Sequence, residues 1–280
     1  MTEPLLDVRE ISLRFGGVLA INDVSFSVEP GQLFAIIGPN GAGKTSIFNS
    51  ISQVYRPQQG DIRWKGTSLM GLRPDKVAGL GIARTFQNIE LFPQMTVLDN
   101  LLLGRHAKMR RSWLAGAVWV GPARKEEIEN RRKIEDIVDF LEIERWRKHP
   151  VALLPYGFQK RVELGRALAT EPELLLLDEP VAGMNLEETE DMARFILDIR
   201  AELGISMVLV EHDMALVMDI ADRVMVLDFG QKIAEGTPAE VQRDPRVVAA
   251  YLGDEQLVGP QDLDEALAAA EVTGESAETT

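Results

Sequence analysis

The eight residues GPNGAGKT, Gly38 to Thr45, determine the fold class of this 280-residue chain. They match the pattern G-x-x-x-x-G-K-[ST], in which glycines let successive backbone N–H groups converge on phosphate oxygens. The apolar segment QLFAII precedes the pattern and TSIFNSI follows it, so it lies between a predicted strand and a predicted helix. A glycine-rich turn that matches by coincidence is the alternative, and these flanking elements argue against it. The segment therefore predicts a phosphate-binding loop at the start of a helix.

This loop predicts a bound nucleotide and Mg²⁺. Lys44 would approach the β- and γ-phosphates as a point charge, and the Thr45 hydroxyl would hold Mg²⁺. The partial positive charge at the N-terminus of the following helix also favours an anion. The predicted nucleotide-binding residues of the loop are Gly38, Pro39, Asn40, Gly41, Ala42, Gly43, Lys44, Thr45 and Ser46.

A second motif, LLLLDEP at residues 174–180, predicts a further metal ligand and a general base. Four leucines indicate a buried strand that delivers Asp178 to the carboxyl edge of a sheet, where its carboxylate can hold Mg²⁺. Glu179 follows beyond the strand end and would polarise an attacking water. An acidic pair that merely caps the next helix is the alternative. Together with the phosphate loop, the motif predicts a nucleotide hydrolase.

The rest of the chain predicts an α/β fold with a helical interruption. The first third contains apolar or alternating segments separated by Gly and Pro, which favour strands. Residues 96–148 have helical periodicity with charge on one face. After Pro150, predicted helices, the first over Gln159–Ala169, alternate with continuously apolar strands, a pattern typical of a largely parallel, buried sheet.

Composition excludes several classes of protein. The chain has no cysteine and three scattered histidines, which argues against disulfides and a zinc site. No apolar run approaches the roughly 20 residues that span a bilayer, and the N-terminus does not resemble a signal peptide. We therefore expect a cytoplasmic protein. The net charge of −14 argues against nucleic acid as a partner.

The order of these features resembles that of the ATP-binding subunits of ABC transporters, over residues 5 to 253. The resemblance implies a P-loop NTPase fold with a mostly parallel core sheet, an antiparallel β-subdomain and an inserted α-helical subdomain. The ABC ATPase domain would be 1–253, with the α/β core at 1–89 and 161–253 and the helical subdomain, with its signature turn, at 90–160. Residues 254–280 would form an acidic tail, since they hold eight acidic and no basic residues.

The resemblance assigns roles to further residues. Phe15 in LRFGG would stack on adenine, with a core phenylalanine as the alternative. Gln87 in ARTFQN would reach Mg²⁺ and the attacking water, unless it is a surface glutamine, and His212 in VLVEHD would contact the γ-phosphate, unless it is structural. Asn185 stands where the family usually has aspartate, so a role that needs a carboxylate there is in doubt. The candidate catalytic residues are thus Glu179, His212 and Gln87, and the candidate Mg²⁺ ligands are Thr45, Gln87 and Asp178.

The segment LPYGFQ takes the place of the family's signature LSGGQ. Proline replaces the serine, tyrosine replaces the first glycine and phenylalanine replaces the glutamine. Because the serine hydroxyl is missing, we expect the turn to bind phosphate mainly through backbone N–H groups and the following helix N-terminus. The residues predicted to face the ATP of a partner subunit are Leu154, Pro155, Tyr156, Gly157, Phe158 and Gln159.

Four segments resemble the ATPases of branched-chain (hydrophobic) amino-acid importers: GIARTFQNIELFPQMTVLDNLLLGRH, LDEPVAGMN, EHDMALVMDIADRVMVLDFGQKIAEGTP and DPRVVAAYLG. Urea-import and lipopolysaccharide-export ATPases look similar, and a non-transport cassette ATPase or a GTPase is a more distant alternative. The resemblance implies a second ATPase subunit, identical or not, that closes head to tail on this one. It also implies two transmembrane permease subunits, an indirect solute-binding protein outside the cell and a peripheral position on the cytoplasmic face of the inner membrane.

One apolar segment, SWLAGAVWVGPA at residues 112–123, has no counterpart in these motifs. It is too short to cross a bilayer. It would either pack on the helical interruption, which we favour, or face the permease or the lipid surface.

Overall fold

The computed structural model describes residues 3–87, 89–105 and 122–252. Its strands, in chain order, are β1 (Leu6–Phe15), β2 (Val18–Val28), β3 (Leu33–Ile37), β4 (Gln59–Trp64), β5 (Thr67–Ser68), β6 (Ile82–Arg84), β7 (Leu174–Asp178), β8 (Ser206–Val210), β9 (Arg223–Asp228) and β10 (Gln231–Gly236). Its helices are α1 (Lys44–Ile51), α2 (Pro74–Gly79), α3 (Val97–Arg105), α4 (Pro122–Phe140), α5 (Tyr156–Leu168), α6 (Leu186–Leu203), α7 (Met214–Ile220), α8 (Pro238–Gln242) and α9 (Pro245–Leu252).

The described strands form two sheets. An antiparallel sheet has the order β2-β1-β4-β5, and the core sheet has the order β10-β9-β3-β8-β7-β6. In the core sheet β9, β3, β8, β7 and β6 are parallel, and β10 pairs antiparallel with β9. The predicted parallel core and antiparallel β-subdomain are therefore confirmed.

The register of the core sheet brings three strand ends to one edge. Ile36 of β3 and Asp178 of β7 both pair with Val210 of β8. All residues of these three strands are buried, because one face of the sheet packs against helices and the other against α1 and the antiparallel sheet. The loops that follow β3, β7 and β8 therefore begin side by side, as expected for a parallel sheet.

The helical interruption contains α3, α4 and α5, and two short 3₁₀ turns, Glu144–Trp146 and Val151–Leu153, lie between α4 and α5. Helix α5 packs against α3, α4 and β6. The sequence suggested a subdomain boundary between residues 160 and 161, and this position falls inside α5. A single helix therefore spans the suggested boundary between the helical subdomain and the α/β core. The acidic tail and residues 112–121 of the apolar segment lie outside the described residues.

The sequence did not predict β6, β10 or the first half of β2, and it placed the start of α5 at Gln159. The helix begins three residues earlier, with Pro155 as its N-cap residue, because proline at a helix start loses no intrahelical hydrogen bond. Strand β10 lies at the sheet edge and exposes Gln231 and Lys232, so it lacks a continuous apolar pattern. Among the described helices, none combines the length and apolar character needed to cross a bilayer.

Candidate nucleotide site

The phosphate loop is fixed by backbone contacts. Gly38 follows β3 with φ 148°, and a Cβ atom there would lie 2.1 Å from the backbone oxygen of Leu227 on β9. Gly43 has φ 104°, and its Cβ atom would lie 2.5 Å from the backbone oxygen of Ala20 on β2. Other residues at these two positions would therefore collide with the neighbouring strands.

Lys44 lies inside this loop and is buried, with 7% of its surface exposed. Its Nζ atom donates to the backbone oxygens of Gly38 at 2.6 Å and Pro39 at 3.0 Å. Burial lowers the pKa of Lys44, and the carboxylates of Glu179, Asp178 and Glu211 act in the opposite direction. The positive charge of the buried Lys44 ammonium is offset by loop carbonyls and nearby carboxylates. Such a group is well suited to bind a phosphate.

A cleft of about 430 Å³ opens over the loop. Residues 40–46 form its floor, and the exposed Gln87 and the half-buried Glu179 lie at one side. Val18 and Phe229 also line it, and Phe229 is 84% exposed. Sequence reasoning missed Phe229, because this residue lies in the turn between β9 and β10 and β10 was not predicted. The cleft thus combines a polar side with an apolar one, as a nucleotide requires.

Gln87 and Glu179 contact each other directly. The Nε2 atom of Gln87 donates to Oε2 of Glu179 at 2.8 Å. The backbone N–H of Glu179 donates to Val210 at 2.9 Å, and Glu179 has a left-handed φ of 48°. For a non-glycine residue this conformation is strained, and such strain is concentrated at functional sites. The structure therefore brings together the predicted general base and the predicted water-positioning amide.

Asp178 is buried beneath this pair and does not line the cleft. Its Oδ2 atom accepts a hydrogen bond from Arg84 Nη2 at 2.7 Å, and Arg84 Nη1 donates to Asn49 at 2.6 Å. Sequence reasoning missed Arg84, although it lies in the quoted segment ARTFQN. A cation that approaches Asp178 would share this carboxylate with the Arg84 guanidinium.

His212 is the second residue of the loop after β8, and its side chain is half-exposed. It is not among the described residues that line the cleft. Its neighbour Glu211 is fully buried and accepts hydrogen bonds from the backbone N–H groups of Val181 at 3.2 Å and His212 at 3.0 Å. Burial raises the pKa of Glu211, and these N–H donors oppose the rise. Glu211 thus ties the loop after Glu179 to the loop that holds His212, a contact that the sequence did not reveal.

Phe15 lies at the end of β1, outside the lining of the cleft. Its ring is 45% exposed and meets Tyr55 edge-on, with ring centroids 4.9 Å apart. Because the ring is half-exposed, Phe15 is not a core phenylalanine. Its stacking on adenine stays a prediction.

The signature turn is directed toward its own chain. The Tyr156 hydroxyl donates to the backbone oxygen of Ala182 at 3.1 Å, and Gly157 lies against the Glu188 side chain. Phe158 packs on Trp146, and Gln159 Nε2 donates to the backbone oxygen of Leu154 at 2.8 Å. None of the turn's six residues lines the cleft of this chain in the part that the structure describes.

Asn185, which replaces the family's aspartate, caps α6. Its side chain accepts from the backbone N–H of Glu188 at 3.0 Å, and Glu188 accepts in return from the Asn185 N–H at 3.1 Å. Asparagine performs this capping as well as aspartate, because the side-chain oxygen accepts the hydrogen bond in both. The substitution therefore leaves the start of α6 intact.

The oxygen donors near the loop fit Mg²⁺ rather than a metal held by protein alone. The described residues contain no group of three or more His, Cys, Asp or Glu side chains that could hold a metal ion. Thr45 lines the cleft with Gln87, and Asp178 lies behind. A hydroxyl, an amide and one carboxylate suit Mg²⁺, which takes its other ligands from phosphates and water.

Comparison with known proteins agrees with this geometry. A family model described as "ABC transporter" matches residues 21–182, and one described as "Branched-chain amino acid ATP-binding cassette transporter" matches residues 231–256. The chain is 40% identical to the high-affinity branched-chain amino acid transport ATP-binding protein BraF of Pseudomonas aeruginosa and 37% identical to LivG of Escherichia coli. Each of these alignments covers 91% of this chain and 100% of the relative.

A solved structure is similar over nearly the same length. The ADP conformation of MJ1267, an ATP-binding cassette of an ABC transporter, shares 33% identity with a TM-score of 0.79, and the match covers 90% of this chain and 100% of that one. The expected fold and family are therefore confirmed. This chain belongs to the ABC transporter family and is an ATP-hydrolysing, ATP-binding cassette.

Proposed function

We propose that this chain is the ATPase subunit that powers an importer of branched-chain or other hydrophobic amino acids. The observation that carries the proposal is the match to BraF over that protein's complete length, together with the separate match of residues 231–256 to the branched-chain cassette family. The amino acid itself would be recognised by other subunits.

The site residues divide the work of hydrolysis. When ATP and Mg²⁺ are bound, Lys44 would hold the β- and γ-phosphates, Thr45 and Asp178 would hold Mg²⁺, and the ion would neutralise charge on the phosphates. Glu179 accepts the proton of the attacking water, and Gln87, hydrogen bonded to Glu179 at 2.8 Å, orients that water. The His212 side chain does not line the cleft, so the loop after β8 must move toward the cleft before His212 donates to the γ-phosphate. Phe15 and Val18 contact the base.

A second cassette completes the site. The signature turn of this chain does not line its own cleft, so its helix N-terminus serves the ATP of a partner cassette. Closure of the two cassettes excludes water from each site. Permease subunits hold the pair at the cytoplasmic face of the membrane, and a solute-binding protein delivers the amino acid on the other side. Nucleic acid has no part in this assembly.

The variant Glu179→Gln tests the role of the general base. We expect ATP binding to persist while kcat falls by about 10²–10⁴-fold, because the amide cannot accept a proton. Single-turnover ATP hydrolysis and nucleotide titration measure the two effects. Glu187→Gln, the same change at an exposed carboxylate of α6, is the control and should retain wild-type turnover. Near-normal turnover of Glu179→Gln would remove Glu179 from the chemistry.

The substrate class is tested separately. Co-purification from the native membrane, followed by uptake assays in vesicles with the recovered permeases, should show ATP-driven uptake of leucine, isoleucine or valine. Uptake of urea alone, or ATP-driven export of lipopolysaccharide, would contradict the amino-acid assignment while leaving the ATPase assignment intact.

A further inference from the structure

Three of the four ionic side chains of helix α5 lie on successive turns: Lys160, Glu163 and Arg166. The side chains of Lys160 and Glu163 are each only 2% exposed, and Lys160 Nζ lies 3.7 Å from Glu163 Oε2. Charged groups are seldom buried this deeply, and a buried ion pair gives little net stability compared with apolar residues of the same size. None of the three lines the nucleotide cleft in the described part of the chain, so their burial needs another explanation.

All three side chains bind the backbone of the loop that contains Gln87. Lys160 Nζ donates to the backbone oxygen of Gln87 at 2.8 Å, and Glu163 Oε1 accepts from the backbone N–H of Phe86 at 3.3 Å. Arg166 donates to the backbone oxygen of Glu90. The loop thus accepts hydrogen bonds from α5 at residues 87 and 90 and donates one to α5 at residue 86.

The electrostatics favour an ordered ion pair of Lys160 and Glu163 where α5 meets the Gln87 loop. Burial raises the pKa of Glu163, while the Lys160 ammonium and the Phe86 N–H oppose the rise. Burial also lowers the pKa of Arg166, and Glu163 acts against that shift. Each charge therefore depends on the others and on the loop backbone for its partners.

The two ends of this arrangement are functional segments. Beyond the backbone contact, the Gln87 side chain donates to Glu179 at 2.8 Å. At the N-terminus of the same helix, Tyr156 donates to Ala182, three residues after Glu179. Helix α5 therefore contacts both segments that flank the expected position of the attacking water.

We propose that Lys160 and Glu163 are positioning residues that fasten the Gln87 loop to α5, so that a shift of the signature turn moves Gln87 relative to Glu179. The inference rests on the proposed roles of Gln87 and Glu179. Helix α5 would then link two ATP molecules: the ATP of the partner cassette, which the N-terminus of α5 contacts, and the ATP in the cleft of this chain.

The variant Lys160→Met tests this link, because methionine keeps much of the buried length but cannot donate to the Gln87 oxygen. Loss of a hydrogen bond from a charged donor should lower ATP turnover by roughly 10- to 100-fold. We expect the Kd for nucleotide to change less than about twofold, since Lys160 does not touch the cleft. Amide hydrogen exchange of residues 84–90 should become faster, and Lys160→Arg, which keeps a donor, should restore most of the turnover.

Two further variants separate a positioning role from a general structural one. Lys133→Met removes a lysine of α4 that pairs with Glu171, away from the loop, and should leave turnover and loop exchange unchanged. In a Gln87→Ala background, Lys160→Met should cause no additional loss of turnover, because both changes act on the same step.

The opposite outcomes overturn the inference. Unchanged turnover and unchanged loop exchange in Lys160→Met would do so, as would an equal loss of turnover with and without Gln87. If Gln87→Ala alone leaves turnover at the wild-type level, the proposed role of Gln87 fails and the inference falls with it. If Gln87→Ala is impaired and Lys160→Met is not, only the link through α5 is wrong.

Discussion

The phosphate loop and the signature turn each lead into a helix, α1 and α5, but they are held in different ways. At Gly38 a Cβ atom would lie 2.1 Å from the backbone oxygen of Leu227, which cannot move without moving β9. At Gly157 a Cβ atom would lie 2.5 Å from Oε1 of Glu188, the end of a flexible side chain. A loop fixed by backbone contacts constrains its own sequence, whereas a turn fixed by side chains can change together with the segment it touches.

The largest effect is expected for Gly38→Ala. Both the positive φ of 148° and the clash with Leu227 oppose the new methyl group, and together they should lower the free energy of unfolding by about 2–6 kcal/mol. Nucleotide affinity should fall at least tenfold, because the loop N–H groups lose their alignment. Chemical denaturation and titration with a fluorescent ATP analogue measure the two quantities.

Gly41→Ala is the matched control in the same loop. It also has a positive φ, of 80°, but no atom lies within 4 Å of its Cβ position. Backbone strain alone should cost about 1 kcal/mol. If Gly38→Ala were no worse than Gly41→Ala, the backbone of β9 would not be what fixes the loop.

Local sequence was sufficient for the elements on the backbone-fixed side. The continuously apolar strands β3, β7 and β8 and the loop after β3 were predicted, because burial on both faces and the phosphate pattern each leave a local signal. The family resemblance supplied Gln87. Its contact with Glu179 is formed in the structure, although its role in catalysis stays a prediction.

The long-range contacts around the nucleotide site and the signature turn were not predictable from local patterns. Arg84 binds Asp178 from 94 residues away, Lys160 binds the Gln87 backbone from 73 residues away, and Tyr156 binds Ala182 from 26 residues away. Each depends on tertiary packing, and the side chains involved are of kinds that usually lie on the surface. Phe229 was missed for a related reason, since only the fold brings its turn next to the phosphate loop.

A smaller effect is expected for Gly157→Ala. The Glu188 carboxylate can rotate away from the new methyl group, so the free energy of unfolding should fall by about 1 kcal/mol or less. ATP turnover should fall a few-fold, since the movement of Glu188 also disturbs its capping bond with Asn185. The double variant with Glu188→Ala, compared with Glu188→Ala alone, measures the clash: the glycine substitution should then cost almost nothing. A persistent loss in the double variant would show that Gly157 is required for a reason other than Glu188.

The smallest effect is expected for Tyr156→Phe, which removes only the hydroxyl that binds Ala182. The side chain is 41% exposed, so water replaces the lost partner and the free energy of unfolding should fall by about 0.5 kcal/mol. Tyr156→Ala should cost more, because the ring also packs within 3.4 Å of the Cβ position of Gly183. Thermal denaturation and steady-state ATP turnover of both variants separate the two contributions. If the phenylalanine variant were as impaired as the alanine variant, the hydroxyl would be what holds the turn. In that case the signature turn, like the phosphate loop, would depend on a contact with a backbone atom, the carbonyl of Ala182. The two regions would then differ only in that a side chain supplies the hydrogen-bond donor in the signature turn.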